Sequence, residues 1–295
     1  MVFFWYLLGK GIRMALYLGI DGGGTGCRAA VADAAGRVLG LGAAGPANLT
    51  TDPDATRLNI LTAARQALTN AVGARAVEAA LPRLIAGLGL AGANTAGAAG
   101  QSGLALPFAR TRLETDAVTA VKGALAGEDG IVAALGTGSV FASQRGGVIR
   151  QIGGWGLILG DAGSGAHVGR AILAQALRAV DGFVPITPLL AALIGEHGGP
   201  AGIVGFARTA RPADFAALSR RLFASDDPAA VAIIGTALGD VAAAIDHLQI
   251  GTRLPVVFIG GLGPAYASRL DGRWPIRPAL GTALDGALML AREAA

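Results

Sequence analysis

An aspartate stands before three glycines and a threonine near the start of the chain, in LGIDGGGTGCRAAVAD from Leu18 to Asp33. Successive backbone N–H groups in a tight turn form a concavity that binds anions such as phosphate, and glycine allows close approach. A carboxylate beside phosphates suits Mg²⁺. Asp21 is therefore predicted to hold Mg²⁺ through water. The predicted phosphate-binding residues of this turn are Gly22, Gly23, Gly24 and Thr25.

The same plan appears a second time in GIVAALGTGSVFASQRGGVIRQIGG, from Gly130 to Gly154. Each copy contains an apolar strand, a turn of Gly and Thr, and two further strands. Such self-similarity is a stronger signal than one glycine turn. The two turns together could hold the triphosphate of a nucleotide. The predicted residues of the second turn are Gly136, Thr137, Gly138 and Ser139.

Two dinucleotide-type matches, GTGCRA (Gly24–Ala29) and GLGLAG (Gly87–Gly92), are the alternative explanation of these glycines. A dinucleotide-binding turn must open a helix, whose N-terminus holds the pyrophosphate. The first match leads into alternating strand sequence, and the second leads into a segment too rich in glycine to begin a stable helix. No GxxxxGK[ST] segment occurs. Phosphate binding by strand-turn-strand hairpins is therefore favoured.

The elements that must position these turns are predicted from periodicity and turn signals. The predicted strands are Leu16–Asp21, Cys27–Ala32, Val38–Leu41, Leu84–Leu90, three strands within Gly130–Gly154, and Val256–Ile259. The clearest predicted helices are Asp52–Val72, Ala117–Ala126, Ala166–Val180 and about Thr282–Arg292.

Composition limits the classes of protein that the chain can represent. With 295 residues, 53% of them hydrophobic and 15% charged, it is long enough for two domains with sizeable cores. The net charge of +4 comes from scattered basic residues, which argues against a nucleic-acid partner. Cys27 is the single cysteine, so no internal disulfide can form. It is predicted to be a buried strand residue in a protein of the reducing cytoplasm.

The first thirteen residues, MVFFWYLLGKGIR, are the one candidate targeting segment. The apolar run is too short to span a bilayer, and neither a preceding positive charge nor a following cleavage site marks a signal peptide. Residues 1–13 are expected to be a disordered or artificial extension. No membrane partner is expected.

Longer motifs resemble a known family. LGIDGGGTGCRAAVAD, AALGTGSVF and FIGGLG look like the first phosphate, second phosphate and adenosine motifs of the actin-like sugar kinase superfamily. GGWGLILGDAGSGAHVGRAIL, from Gly153 to Leu173, resembles the signature of N-acetylglucosamine kinases, bacterial glucosamine kinases and ATPase activators of the BadF/BadG/BcrA/BcrD type. The likeness runs from about Leu16 to Ala291. It implies an ATP- and Mg²⁺-dependent kinase acting on the 6-hydroxyl of glucosamine or N-acetylglucosamine, and Gly260 and Gly261 as ATP-binding residues.

The resemblance also implies the roles of other residues. Asp116 in TRLETDAVTAVKGALAG matches the catalytic aspartate of the kinases, where it takes the proton of the attacking hydroxyl and contacts the sugar. The alternative for Asp116 is a helix N-cap, and one residue can do both. Ser164 is a better N-cap of the following helix than Asp161. The residues implied to contact the sugar are Asn48, Gly153, Gly154, Trp155 and Asp161. The alternative for Trp155 is a core or interlobe aromatic.

The family resemblance predicts two ribonuclease H-like lobes, each a mixed five-stranded sheet with flanking helices, and a nucleotide cleft between them. The N-terminal lobe is predicted to span residues 14–117 and the C-terminal lobe residues 118–295, with the last helix packing on the first lobe. A homodimer is a candidate assembly. His167, His197 and His247 lack the spacing of a metal site and are expected to be ordinary surface or cap residues.

Two departures from the family pattern leave alternatives open. Ala162 stands where members commonly carry a glutamate, and Leu90-Ala91-Gly92 offers no serine near the sugar. A sugar sensor without turnover therefore stays an alternative, as does a reductase-activating ATPase. The activators share an iron–sulfur cluster through cysteines, which a lone Cys27 in a hairpin does not suit. A sugar-responsive repressor would need a helix-turn-helix extension that thirteen residues before Met14 cannot supply.

Overall fold

The computed structural model describes residues 15–93 and 104–295, so the predicted extension 1–13 lies outside the described residues. The chain divides into two compact units. The first runs up to Ala126 and also contains Leu280–Ala295, and the second is Gly127–Ala279.

The first unit is built on a five-stranded mixed sheet in the order β3-β2-β1-β4-β5. Strand β1 pairs antiparallel with β2 and parallel with β4. Leu18 and Ile20 of β1 are fully buried in its core. The sheet prediction for this unit is confirmed. The strands are Tyr17–Gly22 (β1), Cys27–Ala32 (β2), Val38–Ala44 (β3), Ile85–Leu90 (β4) and Arg110–Thr115 (β5).

Helices cover both faces of this sheet, and the first of them has a clear start signal. Asp52 caps the first helix by accepting a hydrogen bond of 2.9 Å from the Ala55 N–H, and Pro53 occupies its first position. Two short 3₁₀ turns, Ala74–Ala76 and Leu81–Arg83, flank the second helix. The helices of the unit are Pro53–Val72 (α1), Val77–Ala80 (α2), Asp116–Leu125 (α3) and the closing helix Ala283–Glu293 (named α11 in chain order).

The closing helix α11 packs against α3, β1 and β4. Its N-terminus has a capping box, in which Thr282 and Asp285 exchange hydrogen bonds. At its other end, Glu293 accepts hydrogen bonds from Arg112 at 2.9 Å and from Lys122 at 2.6 Å. The closing helix is therefore an integral part of the first unit, with Ala287, Leu290 and Ala291 buried.

The second unit repeats the antiparallel part of this plan in a four-stranded sheet, in the order β8-β7-β6-β9. The prediction of a fifth strand is wrong for this sheet among the described residues. Ile276 makes a single parallel bridge to Val256, and Pro275 and Pro278 flank it. Proline lacks the N–H that a ladder needs, so the pairing stops after one residue. The strands are Gly130–Leu135 (β6), Ser139–Arg145 (β7), Val148–Gly153 (β8) and Val256–Ile259 (β9).

Helices contribute more residues to the second unit than strands do. Ser164 caps the first of them by accepting a hydrogen bond of 3.0 Å from the His167 N–H, which confirms Ser164 rather than Asp161 as the cap. Four short helices lie between the two long ones. The helices are Gly165–Val180 (α4), Pro188–Glu196 (α5), Pro200–Thr209 (α6), Pro212–Ala216 (α7), Ser219–Phe223 (α8), Pro228–Leu248 (α9) and Gly263–Arg269 (α10).

Length and apolar composition alone would let α9 cross a membrane, and α5 with α6 would do so if counted together across a 69° bend. Ile234, Val241 and Ile245 of α9 are instead buried in the core of the second unit. Core helices of globular units share this composition.

The boundary between the units differs from the predicted one near residue 117. It falls after Ala126, because α3 packs against β4 and the closing helix and therefore belongs to the first unit. Asp116 consequently lies inside the first unit, at the start of α3, rather than at a border.

Candidate functional site

The first glycine turn joins β1 to β2. The Gly23 N–H donates to the Gly26 carbonyl at 2.9 Å, which closes the turn. A Cβ on Gly23 or Gly24 would meet nothing within 4 Å, whereas one on Gly22 would lie 2.6 Å from a leucine carbon. Within residues 15–93 and 104–295, the N–H groups of Gly24 and Thr25 have no hydrogen-bond acceptor. The open part of the turn therefore fits an anion, and Gly22 packs beneath it.

Asp21, one residue before this turn, pairs with Arg28 across the hairpin. The two residues are register partners on β1 and β2, and Arg28 Nη2 lies 2.5 Å from Asp21 Oδ2. The Asp21 side chain is 14% exposed and the Arg28 side chain 65%. A single carboxylate beside a turn with open N–H groups fits the way Mg²⁺ is held, with most of its ligands being water and phosphate. A cation already occupies that position in the form of the Arg28 guanidinium.

Asp116 follows the last strand of the first sheet and is the first residue of α3. Its predicted alternative role as the N-cap is wrong, because Thr115 is the cap and accepts a hydrogen bond from the Val118 N–H. The Asp116 carboxylate accepts from the Ala117 N–H at 2.9 Å. Desolvation by the surrounding protein atoms, and secondarily the negative charge of Asp21, raise the pKa of Asp116 above its usual value. A carboxylate with a raised pKa is a better proton acceptor.

Asn48 lies beside the first turn, because the preceding Ala47 donates its N–H to the Gly23 carbonyl at 2.9 Å. Asn48 forms a parallel bridge with Ala91 at the end of β4. Its Oδ1 accepts from both the N–H and the hydroxyl of Thr50, at 3.0 and 2.8 Å. The side-chain NH₂ group is therefore the part of Asn48 left to contact a ligand.

These contacts bring the site residues of the first unit into one neighbourhood. The Ala91 N–H donates to the Gly22 carbonyl at 2.9 Å, so the end of β4 meets the glycine turn. Asp21 is close enough to Asp116 to influence its pKa. The match GLGLAG, Gly87–Gly92, starts within β4, and the segment after Ala93 lies outside the described residues.

The second glycine turn joins β6 to β7 in the second unit. The Gly136 N–H donates to the Gly138 carbonyl at 3.0 Å. The first residues of α4 pack on this turn, since the N–H groups of Gly165 and Ala166 donate to the carbonyls of Gly136 and Thr137 at 2.8 and 3.1 Å. In the described part of the chain, the N–H groups of Thr137 and Gly138 have no hydrogen-bond acceptor. This turn also has the geometry of an anion site.

The adenosine-type motif meets the same turn. Gly260 has φ of +85° and a Cβ there would lie 2.4 Å from the Leu135 carbonyl oxygen, which a side chain could not occupy. Leu262 donates its N–H to that oxygen at 2.9 Å. A Cβ on Gly261 would meet nothing within 4 Å. Gly260 therefore holds the motif against the end of β6, and Gly261 leaves open space beside it.

The predicted sugar loop continues from the end of β8. Gly153 and Gly154 have φ of +75° and +73°, which turns the chain sharply away from the sheet. Trp155 is 68% exposed, so it is not a core aromatic. It borders an apolar cavity of about 890 Å³ within the second unit. Its indole face is accessible to a ligand.

Asp161 ends this loop with φ of +58°, a conformation that residues other than glycine adopt rarely. Burial raises the pKa of its carboxyl group, and the N–H groups of Ser139 and Gly156 act in the opposite direction. The neighbouring Ala162 carbonyl accepts a hydrogen bond from the Ser139 hydroxyl at 2.8 Å. The sugar loop and the second glycine turn are therefore in contact.

Sequence reasoning missed Arg28, although the signal was available. In a hairpin centred between Gly24 and Thr25, Asp21 and Arg28 are equidistant from the centre and must pair.

The remaining expectations concern residues without a proposed role. Cys27 is buried, and the described residues contain no group of His, Cys, Asp and Glu that could hold a metal ion. His197 and His247 contact the Leu193 carbonyl and Arg150.

Comparison with known proteins gives consistent results. A sequence profile of the BadF/BadG/BcrA/BcrD ATPase family matches residues 18–270. Glucosamine kinase GspK of Vibrio cholerae is 31% identical over 286 residues, which cover 94% of this chain and 96% of that protein.

Solved structures show the same fold. A candidate N-acetylglucosamine kinase from Chromobacterium violaceum has a TM-score of 0.83 at 31% identity, covering 94% of this chain and 99% of that one. A second one, from Porphyromonas gingivalis, has a TM-score of 0.67 at 23% identity, covering 95% and 99%. These two mixed sheets with their helices form an actin-like ATPase fold, and the chain belongs to the BadF/BadG/BcrA/BcrD ATPase family.

Proposed function

We propose that this protein transfers the γ-phosphoryl group of ATP to the 6-hydroxyl of an amino sugar, glucosamine or N-acetylglucosamine. The observation that carries the proposal is the position of Asp116, a solvent-accessible carboxylate with a raised pKa in the same unit as an open glycine turn. The relationship to a glucosamine kinase over nearly the whole chain supports this class of acceptor.

Phosphoryl transfer requires mainly positioning and charge stabilisation, with one carboxylate to accept the proton of the attacking hydroxyl. Asp116 accepts that proton, and its hydrogen bond from the Ala117 N–H fixes the orientation of the carboxylate. The N–H groups of Gly24 and Thr25 in the first unit, and those of Thr137 and Gly138 in the second, are available to phosphate oxygens. Asp21 would hold Mg²⁺ through water, and the ion would supply neutralising charge on the phosphates.

The sugar is bound by short polar side chains and by one aromatic face. The Asn48 NH₂ group donates to a ring oxygen or hydroxyl, and the Asp161 carboxylate accepts from a hydroxyl. Trp155 packs its exposed indole against the apolar face of the sugar ring. Gly153 and Gly154 let the backbone approach the ring. A site built to hydrogen-bond hydroxyls rejects analogues that lack them.

The test of this function is a panel of sugars incubated with the purified protein and Mg·ATP while ADP release is followed. The panel contains glucosamine, N-acetylglucosamine, glucose and N-acetylmannosamine. ADP formed only with an amino sugar, and a 6-phosphate product by mass spectrometry and NMR, support the proposal. ADP formed without any sugar would instead favour a reductase-activating ATPase, and sugar binding without turnover would favour a sensor, as Ala162 allows.

Replacing Asp21 by asparagine is expected to lower turnover by about 10- to 100-fold and to raise the Mg²⁺ concentration needed for half-maximal activity. The neutral amide attracts a hydrated cation much less strongly than a carboxylate does. Steady-state rates over a Mg²⁺ titration measure this change. Asp54→Asn, which removes an exposed carboxylate in the first turn of α1, is the matched control. An unchanged Mg²⁺ requirement in Asp21→Asn would remove Asp21 from metal binding.

The raised pKa of Asp116 predicts the pH dependence of activity. The base works only when ionised, so kcat/KM falls as the pH drops through the pKa of Asp116 in the free enzyme. Because that pKa is raised, the fall occurs at higher pH than for an aspartate with the usual pKa of about 3.9. In Asp21→Asn, the residual activity is expected to fall at a lower pH, since one cause of the raised pKa is removed. A shift in the opposite direction would contradict this assignment.

A further inference from the structure

The carboxylate of Asp161 lies directly over the second glycine turn. A Cβ built on Gly138 would be only 2.8 Å from Asp161 Oδ2 and 3.4 Å from its carboxyl carbon. The adjacent peptide is fixed as well, by the hydrogen bond from the Ser139 hydroxyl to the Ala162 carbonyl. The carboxylate therefore covers part of the turn that we propose for phosphate.

A carboxylate in this position competes with phosphate for the same donor. The Ser139 N–H faces the Asp161 carboxylate and lowers its pKa, as the Gly156 N–H does from the sugar loop. A phosphate oxygen at the Gly138–Ser139 peptide would meet a second negative charge at close range. Like charges in contact are strongly unfavourable when partly buried.

Hydrogen bonds fix the main chain at Asp161, but they leave its side chain free to rotate about χ1 and χ2. Its carbonyl accepts from the Ser164 N–H at 2.9 Å, and Ser164 is fully buried as the cap of α4. The side chain itself is half-buried between the glycine turn and the sugar loop. A χ rotation can therefore move the carboxylate from the turn toward a ligand on the loop while the main chain stays in place.

We propose that Asp161 couples sugar binding to nucleotide binding. Without sugar, its carboxylate occupies the second glycine turn and weakens the binding of the triphosphate. A sugar hydroxyl that donates to the carboxylate draws it away from Gly138 and Ser139, and the N–H groups of the turn become available to phosphate. This inference rests on the proposed function, because it needs a sugar that contacts Asp161.

The coupling has a direct consequence for ATP. When no sugar is bound, the protein binds the phosphates of ATP weakly. Little ATP is then bound in a site where water could take the place of the sugar hydroxyl. Each ligand must favour the other equally, since coupling between two binding equilibria is reciprocal. A coupling of about tenfold lies within the usual range for such sites.

The test measures the Kd of the non-hydrolysable analogue AMPPNP with Mg²⁺, with and without saturating glucosamine or N-acetylglucosamine, by isothermal titration calorimetry. In the native protein, the sugar is expected to lower this Kd by about tenfold. In Asp161→Asn, AMPPNP without sugar is expected to bind about tenfold more tightly than to the native protein, and the effect of sugar to shrink below about twofold. Asparagine tolerates positive φ, so the loop keeps its conformation.

Asp240→Asn is the matched control. It removes a carboxylate of the same unit that acts on His167, as Asp161 does, but does not contact the glycine turn. Its Kd values are expected to equal those of the native protein. Equal or weaker AMPPNP binding by Asp161→Asn without sugar would overturn the coupling even if the native protein phosphorylates a sugar. Absence of turnover with every sugar in the panel would instead overturn the proposed function.

Discussion

Replacing Asp116 by asparagine is expected to lower kcat by about 10³-fold, within the usual contribution of a general base. The amide keeps the size of the carboxyl group and its contact with the Ala117 N–H, but it cannot accept the proton of the sugar hydroxyl. Single-turnover and steady-state rates with the preferred sugar measure the loss. The Kd of AMPPNP is expected to change less than about threefold, because phosphate binding is assigned to other residues.

The same substitution is expected to stabilise the folded protein at pH 7. The pKa of Asp116 is raised in the folded state, so ionisation is more costly there than in the unfolded chain. The stability that the protonated group contributes is complete below the unfolded pKa and is lost as the pH rises through the folded pKa. Asparagine is neutral at every pH and avoids this loss. Urea unfolding at pH 7 measures the difference.

Glu114→Gln is the control for Asp116→Asn, because Glu114 is a carboxylate two residues away that pairs with Arg112 at 3.5 Å. Its turnover is expected to stay close to that of the native protein. Full activity in Asp116→Asn would remove Asp116 from the mechanism. Loss of activity together with loss of stability would indicate a structural role instead.

The second large effect is expected from Gly123→Ala, at the contact between α3 and the closing helix. A Cβ on Gly123 would lie 1.7 Å from the Thr282 carbonyl oxygen and 2.6 Å from its carbon. Both partners are backbone atoms, so no side-chain rotation can relieve the overlap and the helices must separate. We expect the free energy of unfolding of the first unit to fall by about 3 kcal/mol. Urea denaturation followed by circular dichroism, with hydrogen exchange in β1 and β4, measures this change.

Gly235→Ala is expected to have the opposite effect, an increase in the stability of the second unit. Gly235 lies on an exposed face of α9, and a Cβ there would meet nothing within 4 Å. Alanine is therefore expected to stabilise that helix by about 0.5–1 kcal/mol. Equal destabilisation by the two substitutions would show that the close contact at Gly123 is not the cause.

Much of the fold could be predicted because local signals and tertiary structure agree. Cys27–Ala32 and Val256–Ile259 have the predicted bounds, since each is an apolar run between glycines or turn residues. The fifth strand of the second sheet could not be predicted by analogy with the first. Pro275 and Pro278 limit Ile276 to one bridge, and this local effect outweighs the shared plan.

The parts of the site whose geometry follows from a local motif could be predicted from the sequence. The parts whose geometry depends on long-range packing could not. The glycine turns follow from sequence, and the pairing of Asp21 with Arg28 follows from hairpin register. The position of Asp161 over Gly138 depends on the left-handed conformation of a single aspartate, for which sequence carries no clear signal. The unit boundary depends on α3 packing against a helix more than 150 residues later.

That late helix has a consequence for how the chain is made. Translation delivers residues in order, so every residue of the second unit leaves the ribosome before the sixteen that complete the first, Leu280–Ala295. Until then, the sheet face at Gly19 and Gly87 has no covering layer. The first unit therefore cannot finish folding until synthesis ends, and its exposed apolar surface is meanwhile available to chaperones. The second unit can fold before that point.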